Sequence, residues 1–367
     1  MKMEENKTTK NVKEKYILSK NKYTIKGINE VEYQLIDVLK LICAILIIAI
    51  HCEIASSEEN NVQWYVLHVI FRVAVPFFFI VSGFLFGKKY MKDRKKLKEN
   101  SIMQIKRLLI PFVFWAFVTI LYVIASNPIM LQQNILILLL KLVRLTLFNG
   151  WHLWFVLALI VAIGMEYIFL KKNKMKLAII LSIVLYMIAL LGNSYYFLIE
   201  GTPIQGLMDK LLSAFLRVRN GIFIGFPLFT LGICVAFQEN KIEKLKRKRL
   251  YLALLIFTIT QVIEATFIRG KHYIDDHSVF ISSVFMATVL LMLCIRYKNL
   301  KLKINTVILR NLSTGIYYIH YPLMGYISIL FPFITSWEKF GVTVIGGILL
   351  ITVLLKWNNK YINLLIK

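Results

Sequence analysis

Acidic side chains are scarce in this chain: 20 Asp and Glu stand against 45 Lys and Arg, a formal net charge of +25 over 367 residues. Such an excess suits a nucleic-acid binder, but its placement argues against that partner. The basic residues fall in the connections between apolar runs, alternately heavy and light. Cysteine is rare too. Cys43, Cys52, Cys234 and Cys294 lie in or beside apolar runs without paired spacing. They read as small core residues, which excludes a disulfide framework and leaves no metal site to expect. No Ala-x-Ala cleavage site follows the first apolar run, which is too long for a signal-peptide core and should stay as a span. No internal repeat is visible, so the pattern of an inverted-repeat transporter is missing.

What the chain has in quantity is apolar surface. Hydrophobic residues make up 58% of it, and the mean hydropathy is +0.66. That composition excludes a soluble domain and predicts an all-α, polytopic membrane protein. Ten runs predict spans: 36–54, 64–87, 108–126, 150–170, 177–193, 220–238, 250–268, 278–295, 311–330 and 338–355. Residues 1–35 read as a basic cytoplasmic tail with a short interfacial helix over 27–35, residues 36–358 as the membrane domain and 359–367 as a second short cytoplasmic tail. Within the connection 127–150, the amphipathic piece 134–148 is either re-entrant or surface-lying. Ten spans with both termini inside place 35 of the 45 Lys and Arg on the cytoplasmic side, which satisfies the positive-inside rule at every connection.

Several spans carry groups that a plain anchor does not need. Lys40 and His51, eleven residues apart in the first span, are separated by about 16 Å along a helix, roughly half a hydrocarbon core. An ionisable group at such depth costs about 2.5–3.5 kcal/mol on insertion scales and is a functional candidate by default. In the predicted topology Arg72 lies at a depth near His51, His152 and Trp154 open the fourth span from outside, Arg217, Arg219 and Asn220 sit at the outer mouth of the sixth, and Tyr317 and His320 fall near mid-membrane. Lys40 and Arg107 point to an inner entrance. Plainer roles compete at each position: Asp37 paired with Lys40, Arg72 snorkelling, Trp151 and Trp154 in an aromatic belt, His320 satisfying a carbonyl freed by Pro322, and Glu264 as the structural partner of an Arg or His. Those roles do not account together for three His and one Arg at costly depths.

Six blocks, in order along residues 36–355, resemble the acyltransferase 3 family of membrane proteins. Asp37-Val-Leu-Lys40 followed by His51 is similar to that family's basic-x10-His signature. Pro76-Phe-Phe-Phe-Ile-Val-Ser-Gly83, Ile105-Lys-Arg-Leu-Leu-Ile-Pro111, Trp151-His-Leu-Trp-Phe155, Arg219-Asn-Gly-Ile-Phe-Ile-Gly-Phe-Pro227 and Ile316-Tyr-Tyr-Ile-His320 resemble later blocks. The family usually has Arg where this chain has Lys40; Lys keeps the charge but loses the two-pronged fork. The resemblance implies an O-acyltransferase, often an O-acetyltransferase, of the plasma membrane. It takes acyl-CoA (acetyl-CoA) as co-substrate, holds no bound cofactor, and modifies a glycan or other cell-envelope acceptor outside. It also extends to the membrane portions of serine racemases of vancomycin-resistance systems, which leaves open a carrier or binding module for a small polar molecule such as serine. In the enzyme reading His51, Arg72 and Asn220 are catalytic, Lys40 and Arg107 bind the donor, and His152, Trp154, Arg219, Tyr317 and His320 line the acceptor side.

Overall fold

A computed structural model describes residues 33–54, 61–127, 134–144, 146, 151–357 and 359–366. Every described regular element is helical. Helix α1 is Gln34–His51, α2 is Asn61–Lys92, α3 is Leu97–Ser126 and α4 is Ile135–Arg144. A turn at Trp151–Leu153 leads into α5, Trp154–Lys171, followed by α6, Met175–Leu191, and α7, Pro203–Phe215. Then come α8, Gly221–Phe237; α9, Arg247–Ile268; α10, Ile281–Arg296; α11, Thr306–Leu330; α12, Ser336–Trp357; and α13, Lys360–Ile366.

Each of the ten predicted spans falls on a helix. Among the described residues, six helical stretches are long and apolar enough to cross a membrane: α1, α2, α3 with the turn before it, α5, α9 and α12. Helices α6, α8 and α10 are apolar but shorter. Outward-facing Leu252, Ile263, Ile345 and Val353 are exposed, as hydrocarbon rather than water would require. The chain is a multi-pass membrane protein. Two predicted connections turn out to be ordered. Residues 97–107, read as a basic link, are the first turns of α3, because Lys and Arg are good helix formers that simply continue the helix out of the apolar region. The link 194–219 contains α7, which starts on Pro203, a favoured first helical residue. Helix α4 lies within 134–148; at about 1.5 Å per residue it is too short to cross a bilayer, and its Ile135, Leu136 and Leu140 are exposed. The predicted tail helix 27–35 lies outside the described residues apart from its last three positions.

Two glycines fix the central contact. Helices α2 and α8 approach so closely that a Cβ on Gly83 would stand 2.0 Å from the Phe229 carbonyl oxygen, and one on Gly232 would stand 2.0 Å from that of Ile80. Small residues let helix backbones meet where lipid offers no hydrophobic drive to association. Proline sets the irregularities. Pro76 has no N–H for the Arg72 carbonyl four residues back, and α2 passes through a π turn at Val66–Ile70 and a 3-10 turn at Phe71–Val73 just before it. Pro322 likewise leaves the Tyr318 carbonyl of α11 without its helical donor. Both interruptions sit beside candidate residues.

At the basic end of the bundle, side chains tie the helices together. Glu239 accepts from both Tyr33 and Lys88, and Lys298 pairs with Glu243. The first plain role foreseen for Asp37 is not the one observed. Its carboxylate takes two hydrogen bonds of 2.8 Å from Arg310 at the start of α11, not from Lys40; the planar guanidinium matches both oxygens, which an ammonium cannot do.

Candidate active site

Three imidazoles meet at the far end of α1. The His51 ring lies 5.2 Å from that of His320, which lies 5.0 Å from that of His152. Tyr321 stacks on His152 at 5.1 Å and 12°. The turn Trp151–Leu153 and α11 interlock around this cluster. His152 Nε2 donates to the Tyr318 carbonyl at 3.0 Å, and Tyr317 Oη donates to the His152 carbonyl. His320 Nδ1 donates to the Tyr317 carbonyl at 2.7 Å. A carbonyl only accepts, so each bond puts a proton on the nitrogen that donates and, in the neutral ring, fixes the tautomer. His152 is left with a lone pair on Nδ1 and His320 with one on Nε2, and both atoms are buried without a partner. The carbonyl freed by Pro322 is thus satisfied by His152, not by His320 as the sequence suggested. His51 itself is half-buried. Among the described residues no three His, Cys, Asp or Glu are arranged to hold a metal.

Beside the imidazoles lies an ionic cluster. Arg72 donates to Asp276 at 3.0 Å; Arg219 reaches Asp275 at 2.8 Å and Asp276 at 3.3 Å; Arg217 stands 3.4 Å from Asp275. The charges of Arg219, Arg72 and Asp276 all act on His51. The two aspartates belong to the link between α9 and α10 and differ in their balance. Burial alone would raise the Asp276 carboxyl, but Arg72 and Arg219 outweigh it and hold the group well below the usual carboxylate range. For Asp275, burial outweighs Arg219 and Arg217, and the carboxyl is raised. Burial brings the neighbouring His277 down to about 4 despite Asp276, so it is neutral at pH 7. Trp154 faces this cluster, with the Arg219 guanidinium 6.0 Å from its ring.

Asn220 serves the backbone. Its Oδ1 accepts from the N–H groups of Ile222 and Phe223 at 2.9 and 3.1 Å, and its Nδ2 donates to the Arg217 carbonyl at 2.9 Å. It caps α8 and so sets the direction in which Arg217 and Arg219 leave the chain. Lys40 and Arg107 lie away from the imidazoles, toward the Asp37–Arg310 pair; the charges of Asp37, Arg310 and Arg107 all act on Lys40.

The structure therefore gathers His51, His152, His320 and Tyr317 in one cluster, places Arg72, Trp154 and Arg219 against it, and sets Lys40 and Arg107 apart. Sequence reasoning missed Tyr321, Asp275, Asp276 and Arg310. For the aspartates a signal existed: in a chain so poor in acid, two adjacent carboxylates in a short link need cations. Glu264 is a correction as well. It partners neither Arg nor His; it accepts from the backbone N–H groups of Ile281 and Ser282, each at 2.7 Å, and from Tyr195 Oη at 2.6 Å. It thereby caps α10 from another helix. Replacing Glu264 by Ala leaves two N–H groups unpaired and is expected to cost about 1–3 kcal/mol, read as a lower thermal midpoint of the detergent-solubilised protein.

The fold and the site together are those of a helical membrane bundle with imidazoles at one end of its first helix and cations at the other. The acyltransferase domain profile of the acyltransferase 3 family matches residues 33–356. The chain belongs to that family. Among curated proteins it is similar to an amino-acid racemase of Enterococcus faecalis, 28% identical over 63% of this chain and 32% of the relative. It is also similar to a serine/alanine racemase of Enterococcus gallinarum, 30% identical over 64% of this chain and 33% of the relative. The chain thus spans about a third of the length of these relatives. No solved structure matches.

Proposed function

We propose that the protein is an O-acyltransferase of the plasma membrane that moves an acyl group, in the simplest case acetyl, from cytoplasmic acyl-CoA to a hydroxyl of a glycan or other acceptor in the cell envelope. The chain crosses the membrane ten times with both termini inside. One observation carries the reading: α1 bears a cationic side chain at one end and, about 16 Å along its axis, an imidazole at the other that meets two more imidazoles with free lone pairs. Lys40 and Arg107 hold the donor's phosphates, Lys40 as a point charge. The thioester reaches His51, which takes the proton of the acceptor hydroxyl. The oxygen attacks the thioester carbonyl, the C–S bond breaks, and the CoA thiolate leaves with that proton. Arg72 stabilises the oxyanion, and Asn220 acts through the backbone it caps. His152, Trp154, Arg219, Tyr317 and His320 shape the acceptor side.

The test is radiolabelled acetyl-CoA supplied to inverted membrane vesicles. Label should leave CoA and enter envelope material only when the protein is present. Lys40→Ala should raise the apparent KM for acetyl-CoA about tenfold with kcat unchanged, and Lys40→Arg should restore it. The similarity to amino-acid racemases favours a second reading, a carrier or binding module for a small polar molecule such as serine. A carrier would move labelled serine into vesicles and leave acetyl-CoA untouched.

A further inference from the structure

The ionic cluster holds three guanidinium groups and two carboxylates, so one positive charge among Arg72, Arg217 and Arg219 has no counter-charge within it. Unsatisfied polar atoms also crowd here. Of eleven buried side-chain atoms without a partner among the described residues, Arg72 Nε, Arg219 Nε, Asp276 Oδ1 and His277 Nδ1 belong to this cluster, and His152 Nδ1 and His320 Nε2 belong to the imidazoles next to it. Proteins rarely leave such atoms unpaired unless a function uses them. The two carboxylates are not held alike. Asp276 is gripped by Arg72 and Arg219, whereas Asp275 sits in the left-handed region at φ 72° with a carboxyl that burial disfavours as an anion. Its partner Arg217 is 34% exposed, so this edge of the cluster opens outward.

We propose that Arg217 and Arg219 form a binding site for a carboxylate on the hydroxyl-bearing ligand, and that Asp275 fills this site until the ligand's carboxylate takes its place. The exchange breaks two ion pairs and makes two, so Arg217 and Arg219 each keep a carboxylate contact before and after. It leaves Arg72 with Asp276, and it turns the ligand's hydroxyl toward His51, on which the Arg219 charge already acts. The inference rests on the reading of this end of the bundle as the acceptor side. A sugar acid and a hydroxy amino acid offer the same chemistry, a carboxylate with a hydroxyl a few bonds away.

Calorimetric titration of the whole protein in lipid nanodiscs tests the site without needing turnover. The probes are glucuronate against glucuronamide, and L-serine against L-serinamide. One acid should bind at least about tenfold more tightly than its amide, the worth of one hydrogen bond to a charged group, and the identity of that acid tells the two ligand sources apart. Arg219→Gln should erase the preference for acid over amide. Asp275→Asn keeps the shape, removes the internal competitor and should tighten the acid severalfold. The proposal is overturned if both amides bind as well as their acids, if Arg219→Gln leaves the preference intact, or if Asp275→Asn weakens the acid. Should Arg219→Gln fail to fold, Asp275→Asn and the acid–amide comparison decide alone. Acetyl-CoA turnover is measured separately, so loss of the acyltransferase reading and loss of the carboxylate site give different results.

Discussion

Replacing His51 by Ala should lower acyl transfer by about 10²–10⁴-fold, the usual contribution of a positioned general base, while the protein still inserts and folds. The structure gives reasons for both halves. His51 is half-buried at the last residue of α1 and caps nothing, so its removal leaves no backbone group unpaired. Its neighbours do not replace it. His320 sits one ring away at 5.2 Å with its Nδ1–H committed to Tyr317, and His152 is tied to Tyr318. Each has a single lone pair, pointed from a fixed ring, whereas a base must reach the acceptor oxygen within hydrogen-bond distance. The measurement is acetyl-CoA-dependent labelling beside a thermal unfolding curve in detergent. Undiminished labelling by a folded His51→Ala protein would remove the imidazole of α1 from the chemistry.

The second large effect is on folding. Gly232→Val, or Gly83→Val, should deplete the folded protein. In each case the new Cβ would press on a backbone carbonyl of the facing helix at 2.0 Å, and a carbonyl within a helix cannot rotate aside as a side chain can. Overpacking commonly costs about 1–3 kcal/mol, and this contact lies at the upper end because two helices must separate to relieve it. Helix α2 carries Arg72 and α8 follows Asn220, so a shift between them also spreads the ionic cluster. Gly164 is the control: a Cβ there meets nothing within 4 Å, and Gly164→Val should behave as the parent. Size-exclusion profiles of solubilised protein compare the three, and a monodisperse Gly232→Val protein of parental stability would contradict the packing argument.

Particular residues mark how far the sequence could be read. The helical, membrane-spanning character was legible because apolar length is a local property, and long apolar runs separated by charge have few other ways to be satisfied in lipid. The candidate residues were legible as a set because a His or Arg within a span is expensive wherever it points. Their partners were not. Asp37 lay three residues from Lys40 and paired with Arg310 instead, 273 residues away. Glu264 suggested a cation and was used by backbone N–H groups. The sequence also misjudged helix limits where Lys and Arg prolong α3, since basic residues end an apolar run without ending a helix.

By itself, then, the sequence determined that this chain is a helical membrane protein, and which ionisable side chains are costly to place in its spans, since transfer free energy is a sum over residues in a short window. Only the tertiary structure decided which lone pairs face the imidazole cluster and which carboxylates meet its arginines. Arg72 and Asp276 are 204 positions apart, and a hydrogen bond that selects a tautomer or an ion pair depends on ångström distances between helices, which no periodicity along the chain records.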